Sequence, residues 1–366
     1  MTAGKASEHG WDAVVVGAGI AGLTTADALQ QAGRSVLCLE ARGRVGGRAH
    51  SVAEGPHAVD LGATWFWDNE ALIQSLLPGL GLGAFRQSTA GDALFDAQDP
   101  NPQRLDGNPV DGPAWRFSEG AQSLASALTA RLAPGTLRLS QPVLAIRYGQ
   151  HGATVETADA SFSAGHVVMA VPPSLAEAAI SFTPELPHPV RETAVGTAVW
   201  MGNIVKAVAT YSSAFWLEAG LSGSAISYRG PFREFHDHSG PSGSPAALFA
   251  FAPAARFQGE PMDRIAEAFR DQLVHLFGEE AATPQSIHVT DWSREEYTTP
   301  AAPSPGAGTY NYGHPVFREA VGGRLHWAST ETADEFAGHL EGAISAGLRA
   351  ARNVARLDEK EQLGAK

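Results

Sequence analysis

Apolar and polar positions along this chain follow two rhythms, one suited to strands and one to helices. Residues 14–16 form an apolar run that predicts a buried parallel strand. A helical stretch over 20–31 and a second apolar run over 36–39 follow it. Amphipathic helices are predicted over 121–132 and over 262–277, where Ile265, Ala266, Phe269, Leu273 and Leu276 share one face. Strand-like runs fall at 143–148, 153–157, 166–171, 204–210, 247–252 and 288–292, and Pro172 and Pro173 stop the third of these. A closing helix is expected over 338–357. Between 65 and 115 the rhythm breaks up, leaving one helix over 70–77 and otherwise loop. The Ser/Gly/Pro patch 238–245 reads as an exposed turn, and 298–308 as a Pro/Ala/Gly loop. No internal repeat appears. Alternating strands and helices predict an α/β fold.

The first two strands frame a motif with chemical content. Gly17, Gly19 and Gly22 stand at GxGxxG spacing immediately after the first strand and open the helix. Gly17 allows the tight turn, Gly19 lets backbone approach a pyrophosphate, and Gly22 lets helix and strand pack closely. The helix N-terminus directs N–H groups and a partial positive charge at the phosphates. The second strand ends at Glu40, about 20 residues on, where a carboxylate can bind ribose hydroxyls. With 40 glycines in the chain, a bare GxGxxG could arise by chance. The ordered context of strand, glycines, helix, strand and acid identifies a dinucleotide cradle. The acid disfavours NADP, while FAD and NAD stay equally open on this logic.

Composition narrows the partners. The 366 residues allow one large or two interleaved domains, and 44% hydrophobic content is ordinary for a soluble globular protein. A net charge of −13 with no basic stretch argues against nucleic acid and mildly favours cationic ligands. The lone Cys38 excludes an intrachain disulfide and reads as a core residue. The polar N-terminus lacks the apolar run of a secretory leader, and no stretch approaches the roughly 18 apolar residues of a spanning helix. The C-terminal residues are charged, with no anchor. A cytoplasmic protein without membrane contact is expected. His236 and His238 beside Asp237 do not make a metal pattern, so no metal is expected, and no GxSxG elbow supports a hydrolase.

Six blocks, taken together and in order, resemble the flavin-containing amine oxidase family, which includes the monoamine and polyamine oxidases. The cradle continues into Leu39-Glu40-Ala-Arg42 and Arg44-Val-Gly-Gly47-Arg48. Then come Asp60-Leu-Gly62-Ala63-Thr64-Trp65, Ala170-Val-Pro-Pro-Ser-Leu175, and Asn203-Ile-Val-Lys206 leading to Phe215-Trp216. Asp291-Trp292 and the stretch from Arg324 through Glu331 to Ala343 complete the set. The blocks span nearly the whole chain. The resemblance implies FAD rather than NAD. It implies a Rossmann-like FAD-binding domain of the GR2 type, interleaved with an α+β substrate domain carrying a mixed sheet. The FAD domain would comprise 1–68, 118–195 and 294–366, and the substrate domain 69–117 and 196–293. Glu40 would bind the adenosine ribose, Arg42 and Arg48 would sit by the phosphates and ribityl chain, and Val143 would hold adenine by its main chain. Gly62, Ala63 and Thr64 would line the flavin with backbone, Trp292 would pack near its ring, and Glu331 would lie on the pyrophosphate side. Leu340 would offer its N–H to the flavin C2 carbonyl, at a helix start that suits negative charge on a reduced flavin. Lys206, in the apolar pattern 204–208, would stand beside flavin N5 through a water and assist reaction with oxygen; the alternative on the bare sequence is a strand lysine facing solvent.

The chain also departs from the family. One ring of the usual aromatic cage falls near Ala302, with Tyr310 or Tyr312 as substitutes; the other falls on His339, an imidazole able to exchange protons. No cysteine stands where monoamine oxidases attach their flavin, so FAD is expected to be non-covalent. The segment between Trp65 and Phe117 is shorter than the family's substrate lid. Trp65, Phe66, Trp67, Trp200 and Trp216 are pocket candidates that also suit a core. Three functions follow. The first is an amine oxidase passing hydride to flavin N5, with an imine product and reoxidation by dioxygen to hydrogen peroxide, using Lys206 and His339. The second is an oxidoreductase or desaturase acting on a C–C or C–O bond. The third is an FAD-containing binding protein without turnover. Substrate identity and oligomeric state are open.

Overall fold

The computed structural model describes residues 6–364; residues 1–5 and 365–366, on which part of the expectation about the termini falls, lie outside the described residues. Two large sheets organise the chain. In the first, the order is Leu137–Arg138, Val36–Leu39, Ala6–Val16, Ala160–Met169, Gly152–Glu156, Ala145–Gly149 and Ser181–Thr183. Leu325–Trp327 joins the C-terminal half of Ala160–Met169 in parallel. The central strands are parallel and in close register, with Val16 opposite both Leu39 and Met169. Their side chains are buried on both faces, which is why the sequence there is continuously apolar rather than alternating. The helices Ile20–Gln31 and Leu340–Gly364 pack together on one face of this sheet.

The parallel strands end at one edge. Gly17 follows Val16, Glu40 follows Leu39, Ala170 follows Met169, and the turn at Ser329–Thr330 follows Trp327. Ligands bind in such a crevice because the chain reversals there leave backbone groups unpaired. A Cβ on Gly22 would stand 1.9 Å from the Gly17 carbonyl oxygen, so only glycine lets the helix leave the strand at this point.

The second sheet is mixed: Ser286–Asp291, Ile204–Tyr211, Ala246–Pro253, Glu234–Asp237, Leu221–Ser227, Asp92–Asp96 and Gln103–Leu105. The pair Leu221–Ser227 and Asp92–Asp96 is parallel and the rest antiparallel. One face carries Val205, Ala207 and Ala209, packed under the helix Met262–Phe277 through Ile265, Phe269, Leu273 and Leu276. Each such buried side chain contributes about 1.5–3 kcal/mol of transfer free energy. The opposite face carries Val208 and Phe249, packed on Val59 and Leu61 beside the first sheet.

Three expectations are corrected. The segment 69–117 is not mostly loop: after the helix Ala71–Leu80 it supplies strands Ala84–Arg86, Asp92–Asp96, Gln103–Leu105 and Trp115–Phe117. These short strands borrow their burial from neighbouring sheets, so their own pattern is weak. The patch 238–245 is not wholly exposed, since His238 and Ser239 are buried. Its neighbours His236 and Asp237 belong to a strand. The closing helix starts two residues later than expected, at Leu340. No helix among the described residues is long and apolar enough to cross a membrane, and none of their His, Cys, Asp and Glu side chains group in threes as a metal would require.

Candidate active site

A cavity of about 690 Å³ runs along the strand-end crevice into the gap between the two sheets. Its cradle end is walled by Gly17, Gly19, Glu40, Arg42, Gly47, Arg48, Val143 and Leu175. Its far end is a chamber walled by Trp65, Trp67, Trp200, Phe251, Glu234 and His339. Gly62, Ala63 and Thr64 form the wall on the way, with Leu340 at the start of the C-terminal helix.

At the cradle, Glu40 is buried but lines the cavity. Its Oε2 accepts the Ala18 N–H at 2.7 Å and its Oε1 the Arg42 N–H at 2.9 Å. A carboxylate has about four lone-pair sites, so roughly two are left for hydroxyl donors. Arg42 is fixed by Glu295, the Thr298 hydroxyl and the Tyr297 carbonyl. Arg48 is held by both oxygens of the fully buried Glu331, at 2.5 and 3.1 Å, and donates to the Trp200 carbonyl. The Glu331 carboxylate, working against desolvation, holds the Arg48 guanidinium above its ordinary range. A buried bidentate pair of this kind fixes geometry more than it adds stability.

Two sequence expectations change here. Glu331 does not reach the cavity surface; it is the anchor of Arg48. Trp292 does not line the cavity either: it is fully buried, and its Nε1–H donates to the Leu61 carbonyl, bracing the segment that leads to Gly62. Gly22 stands behind the wall, as its packing role requires. The remaining cradle residues, Gly17, Gly19, Glu40, Arg42, Gly47, Arg48, Gly62, Ala63, Thr64, Val143 and Leu340, are brought together on one surface.

Lys206 is fully buried and faces the first sheet, not solvent. Strand register explains this: Lys206 pairs with Phe251, which pairs with Glu234, so the three share one face of the second sheet. Its Nζ donates to the Gly62 carbonyl at 3.1 Å and to the Thr64 hydroxyl at 2.5 Å, and lies 4.2 Å from the centre of the Phe249 ring. It therefore sits immediately behind the cavity wall rather than in it. Burial pulls Lys206 down to about 7; Asp60 opposes that and Arg116 adds to it. Desolvation raises Asp60, and burial lowers Arg116. His238, whose Nε2 accepts the Asp60 N–H, is driven well below its ordinary value by desolvation and is neutral.

The chamber holds groups that sequence reasoning missed. Neither Tyr310 nor Tyr312 nor Ala302 reaches the cavity, and Phe66 and Trp216 are core residues. The rings that do line it are Trp65, Trp67, Trp200, Phe251, Tyr297 and His339. Glu234 lines it too, backed by His236, whose Nδ1 meets Asp111 at 2.6 Å. Glu70 binds His339 Nδ1 at 2.6 Å. Glu70 leads an apolar run, a recognisable N-cap position, but its partner stands 269 residues away and no local signal joins them.

The family described as flavin containing amine oxidoreductase matches residues 101–355, and a NAD(P)-binding Rossmann-like domain matches residues 15–77. The chain belongs to the flavin-containing amine oxidoreductase family. It is 38% identical over 248 residues to the putative flavin-containing monoamine oxidase AofH of Mycobacterium tuberculosis, covering 66% of this chain and 52% of that protein. It thus spans about half the length of such curated relatives in the matched region. A putrescine oxidase of Kocuria rosea is 25% identical over 94% of this chain and 95% of its own. Among solved structures, putrescine oxidase bound to putrescine superposes with a TM-score of 0.83 at 23% identity, over 96% of this chain and 100% of its own. Cyclohexylamine oxidase from Brevibacterium oxydans IH-35A gives 0.84 at 23%, over 95% and 99%. These superpositions establish the fold.

FAD is the cofactor of this flavoprotein, and the residues present fit it. A buried carboxylate with free lone pairs faces the cavity beside two arginines. A Cβ on Gly62 would meet the Arg48 carbonyl oxygen at 1.9 Å, so the wall there is bare backbone. The helix starts at Ile20 and Leu340 both bring positive dipole ends to the cavity wall.

Proposed function

We propose that the chain is an FAD-dependent amine oxidase, which takes hydride from the C–H bond next to an amine nitrogen, releases an imine and delivers the electrons to dioxygen as hydrogen peroxide. One observation carries this reading: a single cavity joins the dinucleotide cradle to an aromatic, acid-bearing chamber, with the Lys206 ammonium behind the wall between them. The relatives support it, since their names describe oxidases of monoamines, putrescine and cyclohexylamine.

Bound in the cavity, FAD supplies the two-electron acceptor for the hydride and the centre that dioxygen reoxidises. The chain's own residues do the rest. Gly17, Gly19 and the helix start at Ile20 hold the pyrophosphate with backbone N–H groups, helped by the positive charge of Arg42 and Arg48. Glu40 would take the ribose hydroxyls, and Val143 would hold adenine by its main chain. Gly62, Ala63 and Thr64 would line the ring with backbone, and the Leu340 N–H would meet its carbonyl edge. Cys38 lies buried in a strand off the cavity, so no cysteine thioether would tether the flavin, which supports non-covalent binding. Below about pH 7 Lys206 carries a positive charge where negative charge builds during oxygen reduction. The apolar rings exclude water and favour the neutral amine from which hydride can leave. The cofactor unit comprises 1–68, 118–195 and 294–366, and the substrate unit 69–117 and 196–293, in keeping with the strand membership of the two large sheets.

The test is an anaerobic titration of the yellow protein with n-butylamine, cyclohexylamine, benzylamine and putrescine, followed by admission of oxygen. Bleaching of the flavin by at least one amine, and one equivalent of peroxide per amine consumed, is expected. Bleaching by alcohols or other C–O or C–C substrates but by no amine would replace this reading with the desaturase-like one.

A further inference from the structure

His339 and Glu70 form a pair that neither the cofactor nor the fold explains. His339 lines the cavity and its side chain is 39% exposed, while Glu70 is 1% exposed. An isolated carboxylate would not be taken out of water without compensation. Glu70 sits at the N-cap of the helix Ala71–Leu80. Its Oε1 meets His339 Nδ1 at 2.6 Å, and its Oε2 accepts the Trp67 N–H at 3.0 Å.

The ring is fixed from other sides. Trp67 lies 5.0 Å from it and Phe336 6.2 Å, centre to centre. The His339 carbonyl accepts the Thr330 hydroxyl at 2.8 Å, and the same hydroxyl oxygen accepts the Gly338 N–H at 2.9 Å. The other acid nearby, Glu341, is committed: its oxygens accept the N–H groups of Leu72 and Ile73. Other charges along the surrounding walls include the Arg48–Glu331 pair, next to Thr330, Glu234 and Lys206 on the second sheet, and Glu296, with Asp68 adjoining Trp67 and Asp334 and Glu335 preceding Phe336. Among the described residues, Nε2 of His339 has no hydrogen-bond partner. A carboxylate on Nδ1 selects the tautomer with the proton there, which leaves a lone pair on Nε2.

We infer that His339 is a general base for the amine substrate, oriented and supported by Glu70 as a positioning residue. The inference rests on the amine-oxidase reading above. Simple amines are cations in neutral water, with a pKa of about 10.4 for a lysine-like ammonium. While the nitrogen lone pair is tied up in an N–H bond, the neighbouring C–H cannot leave as hydride. His339 Nε2 takes that proton: one N–H bond of the ammonium breaks, its electron pair stays on the amine nitrogen, and a new N–H bond forms on the imidazole. Nothing is oxidised in this step. The Glu70 carboxylate balances the charge of the imidazolium. The pair thus does by proton transfer what an aromatic cage does by desolvation alone.

The test compares wild type, Glu70→Gln and His339→Phe in anaerobic stopped-flow bleaching by n-butylamine, cyclohexylamine and benzylamine from pH 6 to 9.5. At neutral pH each variant should bleach about 100-fold more slowly, the usual worth of a positioned base. Its rate should climb about tenfold per pH unit, tracking neutral amine in solution, so that the gap closes as pH rises. A gap equal at all pH values, or no gap, overturns the base role while the amine-oxidase reading stands. If no amine bleaches wild type, that reading fails and takes this one with it. Nitrogen-15 shifts of His339 in the resting protein give an independent check should a variant not fold. They should place the neutral ring's proton on Nδ1, and a proton on Nε2 would overturn the proposal.

Discussion

The two ends of the cavity are built from different materials. At the cradle, the contacts are mostly backbone groups, helix starts and one carboxylate, with its phosphate and ribose end drawn from residues 17–48. In the chamber, paired polar side chains meet across long stretches of chain: Lys206 with Thr64, His236 with Asp111, His339 with Glu70. Backbone geometry tolerates little change and serves one ligand, whereas side-chain pairs can be exchanged while the wall stays intact. The contrast assigns cofactor retention to the first end and chemistry with selectivity to the second, and each assignment can be broken separately.

The largest expected effect falls on the chamber side of the wall. Lys206→Met removes the buried cation while keeping a similar apolar stem, and FAD should remain bound, because Lys206 touches the wall only from behind, at Gly62 and Thr64, and makes no hydrogen bond to Gly17, Gly19, Glu40, Arg42 or Arg48. Reoxidation of the reduced protein by oxygen should slow by about 100-fold, the usual cost of removing one preorganised charge or donor. Burial lowers Lys206 to about 7, so the cation is present below that pH and lost above it. In wild type the reoxidation rate should therefore fall as pH rises through about 7, and in Lys206→Met the profile should be flat there. The stability linkage runs the other way. The folded group binds its proton less tightly than the unfolded one, so this lysine's contribution to stability increases from about pH 7 up to its ordinary range. Stopped-flow reoxidation of the dithionite-reduced protein across pH checks the rate prediction.

The cradle should break differently. Gly22→Val places a Cβ 1.9 Å from the Gly17 carbonyl oxygen, and neither backbone segment can give way. An overpacked contact of this sort costs about 3 kcal/mol, or about a hundredfold in flavin affinity. The protein should purify largely colourless and regain visible absorbance only with excess FAD. A Gly22→Val protein that kept its flavin at stoichiometry would show that helix–strand packing is not what holds the cradle.

Much of the cradle was legible because its logic is local. Glycine spacing, strand ends and Glu40 lie within one supersecondary unit, and the helix Met262–Phe277 has the bounds its apolar periodicity predicts. The chamber was less legible for physical reasons. Glu331 and Arg48 both suggested a phosphate neighbourhood, but their bond to each other spans 283 residues, and it turned Glu331 away from the cavity. Strand 204–211 was clear in outline, yet which face of it looks inward depends on the sheets it joins, and that decides whether Lys206 meets water or Gly62. Leu221–Ser227, with few β-branched residues, becomes a strand only because partners on both sides supply its ladder. Ring positions in the Pro-rich loop could not be placed by counting, and Trp200 with Tyr297 occupies the cavity instead.

The smallest expected effect lies at the chamber's acid. Glu234 lines the cavity, and the His236 ring, its Nε2 3.9 Å from the Glu234 carboxylate, holds the carboxyl below its ordinary range, so it is ionised at neutral pH. Its side chain is 57% exposed, so solvent screens most of its field. A charge at about 4 Å from a cationic amine in such surroundings is worth about 1 kcal/mol, or about fivefold in affinity. Glu234→Gln should therefore raise KM about fivefold for an amine that reaches the chamber as a cation and leave kcat nearly unchanged. Uniform loss of binding without loss of rate is the signature of a group that attracts the substrate but takes no part in the chemical step. The effect should shrink with added salt and vanish for a neutral amine analogue. A fall in kcat instead would put Glu234, together with His236 and Asp111 behind it, among the groups that act in the reaction and would erase the division between attraction at Glu234 and proton transfer at His339.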